Sequence, residues 1–337
     1  MKSLLYITCL LATVLSSNVK LNKETFFKNA HLVYSSKFNI TQVMVPGEST
    51  HYIPSDVKDK PSIFFTVSDP TTDKGSCIYI LEGFAAYEVL EGGRDTTADY
   101  GQDKTVYFGA RDGIYKYVPD SFGVQKFGSF DDDIIQLQKA KGQDVIYFLN
   151  TEHKLYKVEN NGTSRTRIKD VICAHEFVLD TSNNIYYLAC EDRLPRILRT
   201  DGSLLGVVSS LLKNDIRDIK LIRPAFLMED SIPFFGDNAL YILYSNGTSD
   251  RKDFQLEERP SAVSVDSTLY IVVAINGKIY EFDVMDMLLG SMFGFTSSWP
   301  ADIAKIVMAF IETTKVHLGY VNNHKLNVVL PPQLADA

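Results

Sequence analysis

The sequence predicts an all-β fold, a six-bladed β-propeller of four-stranded antiparallel blades closed by an N-terminal strand. Three observations predict it. Short runs rich in Tyr, Phe, Val and Ile recur about every forty residues, the length of one blade. Asn-Gly or Asp-Gly occupies a fixed place in three copies, at Asn161-Gly162, Asp201-Gly202 and Asn246-Gly247. The last copy is one strand short, while strand-like runs lie unused ahead of the first copy.

In chain order the copies begin at 62–66, 105–108, 145–150, 184–188, 232–237 and 269–272. Their second runs follow at 77–81, 113–117, 154–158, 196–199, 240–244 and 278–282. The matching aromatics are Phe64, Tyr107, Tyr147, Tyr186, Phe234 and Tyr270. Each copy has room for four strands, expected around Tyr186 at 177–180, 184–190, 196–200 and 204–209. The Gly pairs favour two-residue type I′ turns, because both central residues of that turn need positive φ. One blade cannot bury both of its faces, whereas a ring can, and closure shields the edge strands. The run 38–45 is expected to supply the strand missing from the sixth copy and so lock the ring. The first blade's inner strand is expected around 51–55. A pair of β-sandwiches and a seven-bladed ring are the competing folds.

The chain ends differ from the repeat. Lys2 precedes an apolar run at 4–15 and the small residues Ser16 and Ser17, which is the order of a secretory signal peptide over 1–17. The propeller is expected over 30–289, with a C-terminal extension at 290–337 that is helix-like in composition at 301–311. No later apolar stretch is long enough to span a bilayer, so the mature protein is expected to be secreted, extracellular and monomeric. Three Asn-x-Ser/Thr sequons fit that compartment, at Asn39, Asn161 and Asn246. Cys9 leaves with the signal, and Cys77, Cys173 and Cys190 remain. A Cys173–Cys190 bridge with Cys77 free is the first pairing to expect in an oxidising compartment, and three buried thiols are the alternative. The net charge of −8 argues against nucleic acid and against anionic membrane surfaces as partners.

Most catalytic signatures are absent: there is no His-Glu-x-x-His, Cys-x-x-Cys, Gly-rich phosphate loop or Gly-x-Ser-x-Gly. No cofactor and no metal are expected. The candidate ligand-binding residues are His51, Tyr52, Tyr100, His175, Glu176 and Arg223. Tyr52 and Tyr100 fall on an inner strand or in a connecting loop, where an aromatic ring can stack on a planar ligand. His175-Glu176 starts the fourth blade's inner strand, where it faces either a ligand or a solvated rim. Arg223 suits a carboxylate, either on an acidic ligand or on a neighbouring blade. Asp131-Asp132-Asp133 offers oxygens to Ca²⁺, but only alternate residues of a strand share a side, so a solvated acidic loop is the plainer reading.

Runs such as 112–117 (Asp-Gly-Ile-Tyr-Lys-Tyr) and 154–163 (Lys-Leu-Tyr-Lys-Val-Glu-Asn-Asn-Gly-Thr), behind a signal peptide, resemble the insect ommochrome-binding proteins. The resemblance covers roughly 30–289 and rests on blade motifs; 290–337 departs from it. It implies a haemolymph protein that reversibly binds an ommochrome, a planar tryptophan-derived pigment, for transport or storage. The alternatives are a Ca-dependent hydrolase of the gluconolactonase type and an extracellular protein–protein interaction propeller. The first is weakened because 51–55 holds no acid.

Overall fold

A computed structural model describes residues 19–21, 27–47, 61–83, 85–99, 104–121, 123–206, 216, 218–224, 230–266 and 270–283. Six sheets form the blades of a propeller ring, and almost no helix interrupts them. Blade one is Asn39–Met44, Ile63–Ser68, Cys77–Glu82 and Ala85–Glu91. Blade two is Gly93–Ala98, Val106–Ala110, Gly113–Val118 and Gly123–Phe127. Blade three is Ile134–Lys139, Ile146–Asn150, Leu155–Glu159 and Ser164–Arg167. Blade four is Ala174–Leu179, Ile185–Ala189, Pro195–Leu198 and Leu204–Leu205. Blade five is Ile219–Leu221, Ser231–Gly236, Ala239–Tyr244 and Ser249–Leu256, with Val19–Leu21 added in parallel at its outer edge.

Blade six takes three strands from the end of the ring, Ala262–Val265, Tyr270–Ile275 and Lys278–Asp283. Its fourth is Leu32–Ser35, antiparallel to Lys278–Asp283. This corrects the sequence expectation, in which 38–45 closed the ring. That run is the inner strand of blade one, and it replaces the strand expected at 51–55. Burial explains the assignment. Asn39–Met44 sinks Ile40, Val43 and Met44 into apolar layers, as an inner strand must. Leu32–Ser35 is only half-buried, which suits an outer strand.

Apolar layers fill the gaps between blades. Phe64 of blade one meets Phe108 and Tyr117 of blade two, at ring separations of 5.6 and 5.3 Å. Tyr186 of blade four and Phe234 of blade five share another fully buried layer. The aromatic repeat therefore marks the second strand of every blade, but not one register. Phe64, Tyr107, Tyr147 and Tyr186 are second in their strands, whereas Phe234 is fourth and Tyr270 first.

The Gly turns also divide. Asn161 (φ 52°) and Gly162 (φ 83°) both adopt positive φ and form the expected I′ turn, closed by Thr163 N–H donating to Asn160. Asp201-Gly202 and Asn246-Gly247 differ, because only the Gly is left-handed there. Each closes a three-residue loop, as when Tyr244 N–H donates to Thr248 O and Gly247 N–H to Tyr244 O. Gly128 and Gly162 pack backbone to backbone across two blades, and a Cβ on Gly128 would lie 2.5 Å from the Gly162 oxygen.

Cys173, just before blade four's inner strand, is bonded to Cys190, just after its second strand, and Cys77 is a buried free thiol. The bridge closes a loop with a sequence separation of 17. Replacing both cysteines by serine is expected to cost about 3 kcal/mol, read as a lower urea midpoint. An unchanged midpoint would show that blade four needs no staple.

Candidate functional site

The inner strand of each blade is a sheet edge, so its backbone needs partners on the channel side. Polar side chains of the preceding blade provide them. Asp95 Oδ2 and Thr97 Oγ1 accept from the amides of Leu137 (2.8 Å) and Lys139 (3.0 Å). Gln136 and Gln138 each bond both backbone groups of one residue, Phe177 and Leu179. Glu176 accepts from Leu221 N–H at 3.1 Å and pairs with Lys220 at 2.8 Å. Ser264 accepts from Val45 N–H at 3.0 Å, which carries the chain of bonds from blade six to blade one.

Arg223, which follows blade five's inner strand, crosses the channel. Its guanidinium bonds the carboxylate of Asp95 and the carbonyls of Thr96 and Leu137 (2.7 Å). Asp95 is fully buried. Burial pushes its carboxyl above the usual carboxylate range, while the Arg223 charge and the amides of Leu137 and Thr96 pull it back. The pairing expected with a neighbouring blade is thus made across the ring, from blade five to blade two.

Arg223 also lines two cavities, as do Met44 and Ser264. One is a space of about 40 Å³ lined by Gln42, Gln136, Glu176, Lys220 and Ser264, among others. The other, at the C-terminal ends of the inner strands, is a cavity of about 300 Å³ that opens outward. Its apolar wall is Met44, Val45, Ala98, Pro224 and Val265. Lys104, Lys141 and Arg223 bring positive charge to it, and Asp99 and Asp266 bring negative charge. The volume is near the lower end of small-molecule pockets, and the mixture of apolar wall and few charges is typical of them.

Of the six candidate residues, Arg223 lines both cavities, Glu176 lines the smaller one, and His175 lines neither. His175 stands at the opposite end of the inner strand, where burial and the charges of Arg193 and His153 lower its pKa. His51, Tyr52 and Tyr100 lie outside the described residues, although Gly47, Asp99 and Lys104 on their flanks line the larger cavity. Lys104, Lys141, Asp99 and Asp266 escaped the sequence reading. Their signal was positional: Asp99, Lys141 and Asp266 lie within two residues of an inner strand's end, and Lys104 lies two residues before the strand that follows one.

The acidic run is accounted for by ion pairs. Lys126 holds Asp131, Arg165 holds Asp132 at 2.6 Å, and Arg94 holds Asp133 at 2.7 Å. Three cations from three strands neutralise it, so Ca²⁺ is not needed there. Among the described residues, no group of three His, Cys, Asp or Glu side chains is placed to hold a metal ion. Of the sequon asparagines, Asn39, Asn161 and Asn246 are all exposed.

No protein family matches the chain, and no curated protein does. Solved structures do. A gluconolactonase of Xanthomonas campestris is 9% identical, with 74% of this chain and 87% of that one covered and a TM-score of 0.52. A virginiamycin B lyase of Staphylococcus aureus is 12% identical over 75% and 87% of the two chains, with a TM-score of 0.48. A streptogramin B lyase is 15% identical over 68% and 76%, with a TM-score of 0.44. At these identities the likeness is one of fold, and none of the three is an ommochrome-binding protein.

Proposed function

We propose that this chain is a secreted small-ligand carrier whose ligand sits in the 300 Å³ cavity at the mouth of the ring. The observation that carries the reading is the cavity itself, an apolar pocket with Lys104, Lys141 and Arg223 set against Asp99 and Asp266. Such a wall suits a flat molecule bearing a carboxylate and an amino group. A tryptophan-derived pigment of the ommochrome class has that chemistry, in keeping with the family resemblance of the blade motifs.

The test is a titration of the secreted chain with xanthommatin, followed by its absorption spectrum, with bound metal assayed on the same sample. A saturable one-to-one shift is the expected result. Lys141→Ala should weaken it about tenfold, the worth of one hydrogen bond to a charged group. No shift, or a shift indifferent to Lys141, would refute the carrier reading.

A hydrolase on the same site is the second reading, supported by the gluconolactonase of like fold. Such an enzyme needs a divalent metal held by inner-strand carboxylates. The residues described do not fit that need. Asp95 is committed to Arg223 and to two amides, Glu176 to Lys220 and Leu221, and blade one's inner strand carries no acid. Tightly held Ca²⁺ together with lactone hydrolysis would favour the enzyme.

A further inference from the structure

The end of the ring away from the cavity brings together two histidines that the ligand site does not use. His153 lies in the turn between the second and third strands of blade three, and His175 is the second residue of blade four's inner strand. Their ring centroids are 4.7 Å apart and their planes 69° from parallel. Neither position is a matter of ordinary local geometry. His153 has a left-handed backbone (φ 59°), held by its N–H on Asn150 O (2.9 Å) and its C=O on Ala174 N–H (3.0 Å). His175 falls at the irregularity between Ala174 and Glu176, which re-aims its side chain. The same irregularity recurs in blades one, two and three, where it presents Thr41, Arg94 and Ile135 instead.

A hydrogen bond settles where the lone pair of His153 is. Nδ1 of His153 lies 2.9 Å from the Ala174 carbonyl, which only accepts, so Nδ1 carries the proton and Nε2 the lone pair. His175 stands beside the backbone of Cys190, which favours its charged ring, but burial and the charges of Arg193 and His153 outweigh that and lower its pKa. Of the two, His153 has the arrangement of a metal-binding imidazole: one ring nitrogen donates to a carbonyl, which fixes the tautomer and leaves the other free to ligate. The Cys173–Cys190 bond ties the start of the strand that carries His175 to the end of the strand beside it. Two ring nitrogens sharing one tetrahedral ion stand about 3.3 Å apart, within reach of rings already in contact.

We propose that His153 and His175 together bind one borderline transition-metal cation, of the Cu²⁺ or Zn²⁺ type, with water completing its coordination. Cu²⁺ forms the tighter complex of the two with such a nitrogen pair and has a spectroscopic signature, so it is the probe of choice. Arg193, close enough to act on His175 electrostatically, opposes the cation and gives the test a second direction.

Cu²⁺ alone is titrated into the full secreted chain and read by calorimetry and electron paramagnetic resonance. The expected result is one equivalent whose spectrum shows coupling to two nitrogens. His153→Asn, which tolerates left-handed φ, and His175→Gln should each weaken binding at least about tenfold. Arg193→Ala should tighten it about two- to fivefold. Melting curves of the variants check that each still folds; if one does not, the other and Arg193→Ala decide. No binding, binding unchanged in a folded histidine variant, or coupling to a single nitrogen would overturn the proposal.

Discussion

Arg223→Ala is expected to lower the stability of the ring by about 3 kcal/mol, the low end for breaking a buried ion pair. The low end applies because the Arg223 side chain keeps 21% of its exposure while Asp95 keeps none. Removal strips Asp95 of its one cation and leaves the carboxyl with two amide donors, from Thr96 and Leu137. It also orphans the carbonyls of Thr96 and Leu137 on the channel side. Arg223→Lys should recover only part of the loss, because an ammonium cannot reproduce the planar fork that reaches three acceptors in two blades. Denaturant unfolding of Arg223→Ala, Asp95→Asn and the double variant measures the coupling. The double variant should lose less than the sum of the singles by at least about 1 kcal/mol. Additive losses, or a cost below measurement for Arg223→Ala, would mean that the pair does not brace the channel. The same variant removes a side chain that lines both cavities, so it should also weaken binding of the ligand proposed above.

Deleting residues before 37 is expected to have a still larger effect, loss of the stably folded, unaggregated chain. Lys278–Asp283 would become an uncovered edge, and Val33 and Tyr34 would leave the apolar layer shared by blades six and one. An exposed edge beside an exposed apolar layer is a template for aggregation. The closing strand is needed for its pairing, not for its place in the sequence. A permuted chain that carries 29–36 behind Asp283 through a short turn should therefore stay folded and unaggregated. Size-exclusion chromatography and circular dichroism separate the outcomes. A truncated chain that stays folded and unaggregated would show that the ring closes without Leu32–Ser35. The join itself is tight: a Cβ on Gly277, which has φ 71°, would lie 2.6 Å from the Ser36 oxygen. Gly277→Ala should thus weaken the full-length ring at the same seam.

The strand content, the blade period and the interblade aromatics were legible because each is a local pattern. A strand covered on both faces reads as a short continuous run of apolar residues over five or six positions, and a repeat of such runs can be counted. The Gly turns were legible as turns. Their types were not, because a left-handed Gly serves both a I′ pair and a three-residue loop, and the neighbouring strands choose between them. Ring closure was legible as a need for one more strand. Which of two adjacent runs met it was not, because inner and outer strands differ in how much of each face is covered, and that depends on neighbours far along the chain.

The sequence by itself thus determined that this protein is a repeat of antiparallel four-stranded units long enough for six blades. Only the tertiary structure decided what the repeat encloses. Arg223 and Asp95 meet across the channel at a sequence separation of 128. Lys104, Lys141 and Asp266 reach one cavity from three blades. His153 and His175 meet because an irregular inner strand in one blade starts beside a turn of another. Their residue types are ordinary for a protein surface. What gives them a chemistry is proximity, which arises only when the ring closes and fixes each inner strand against the next.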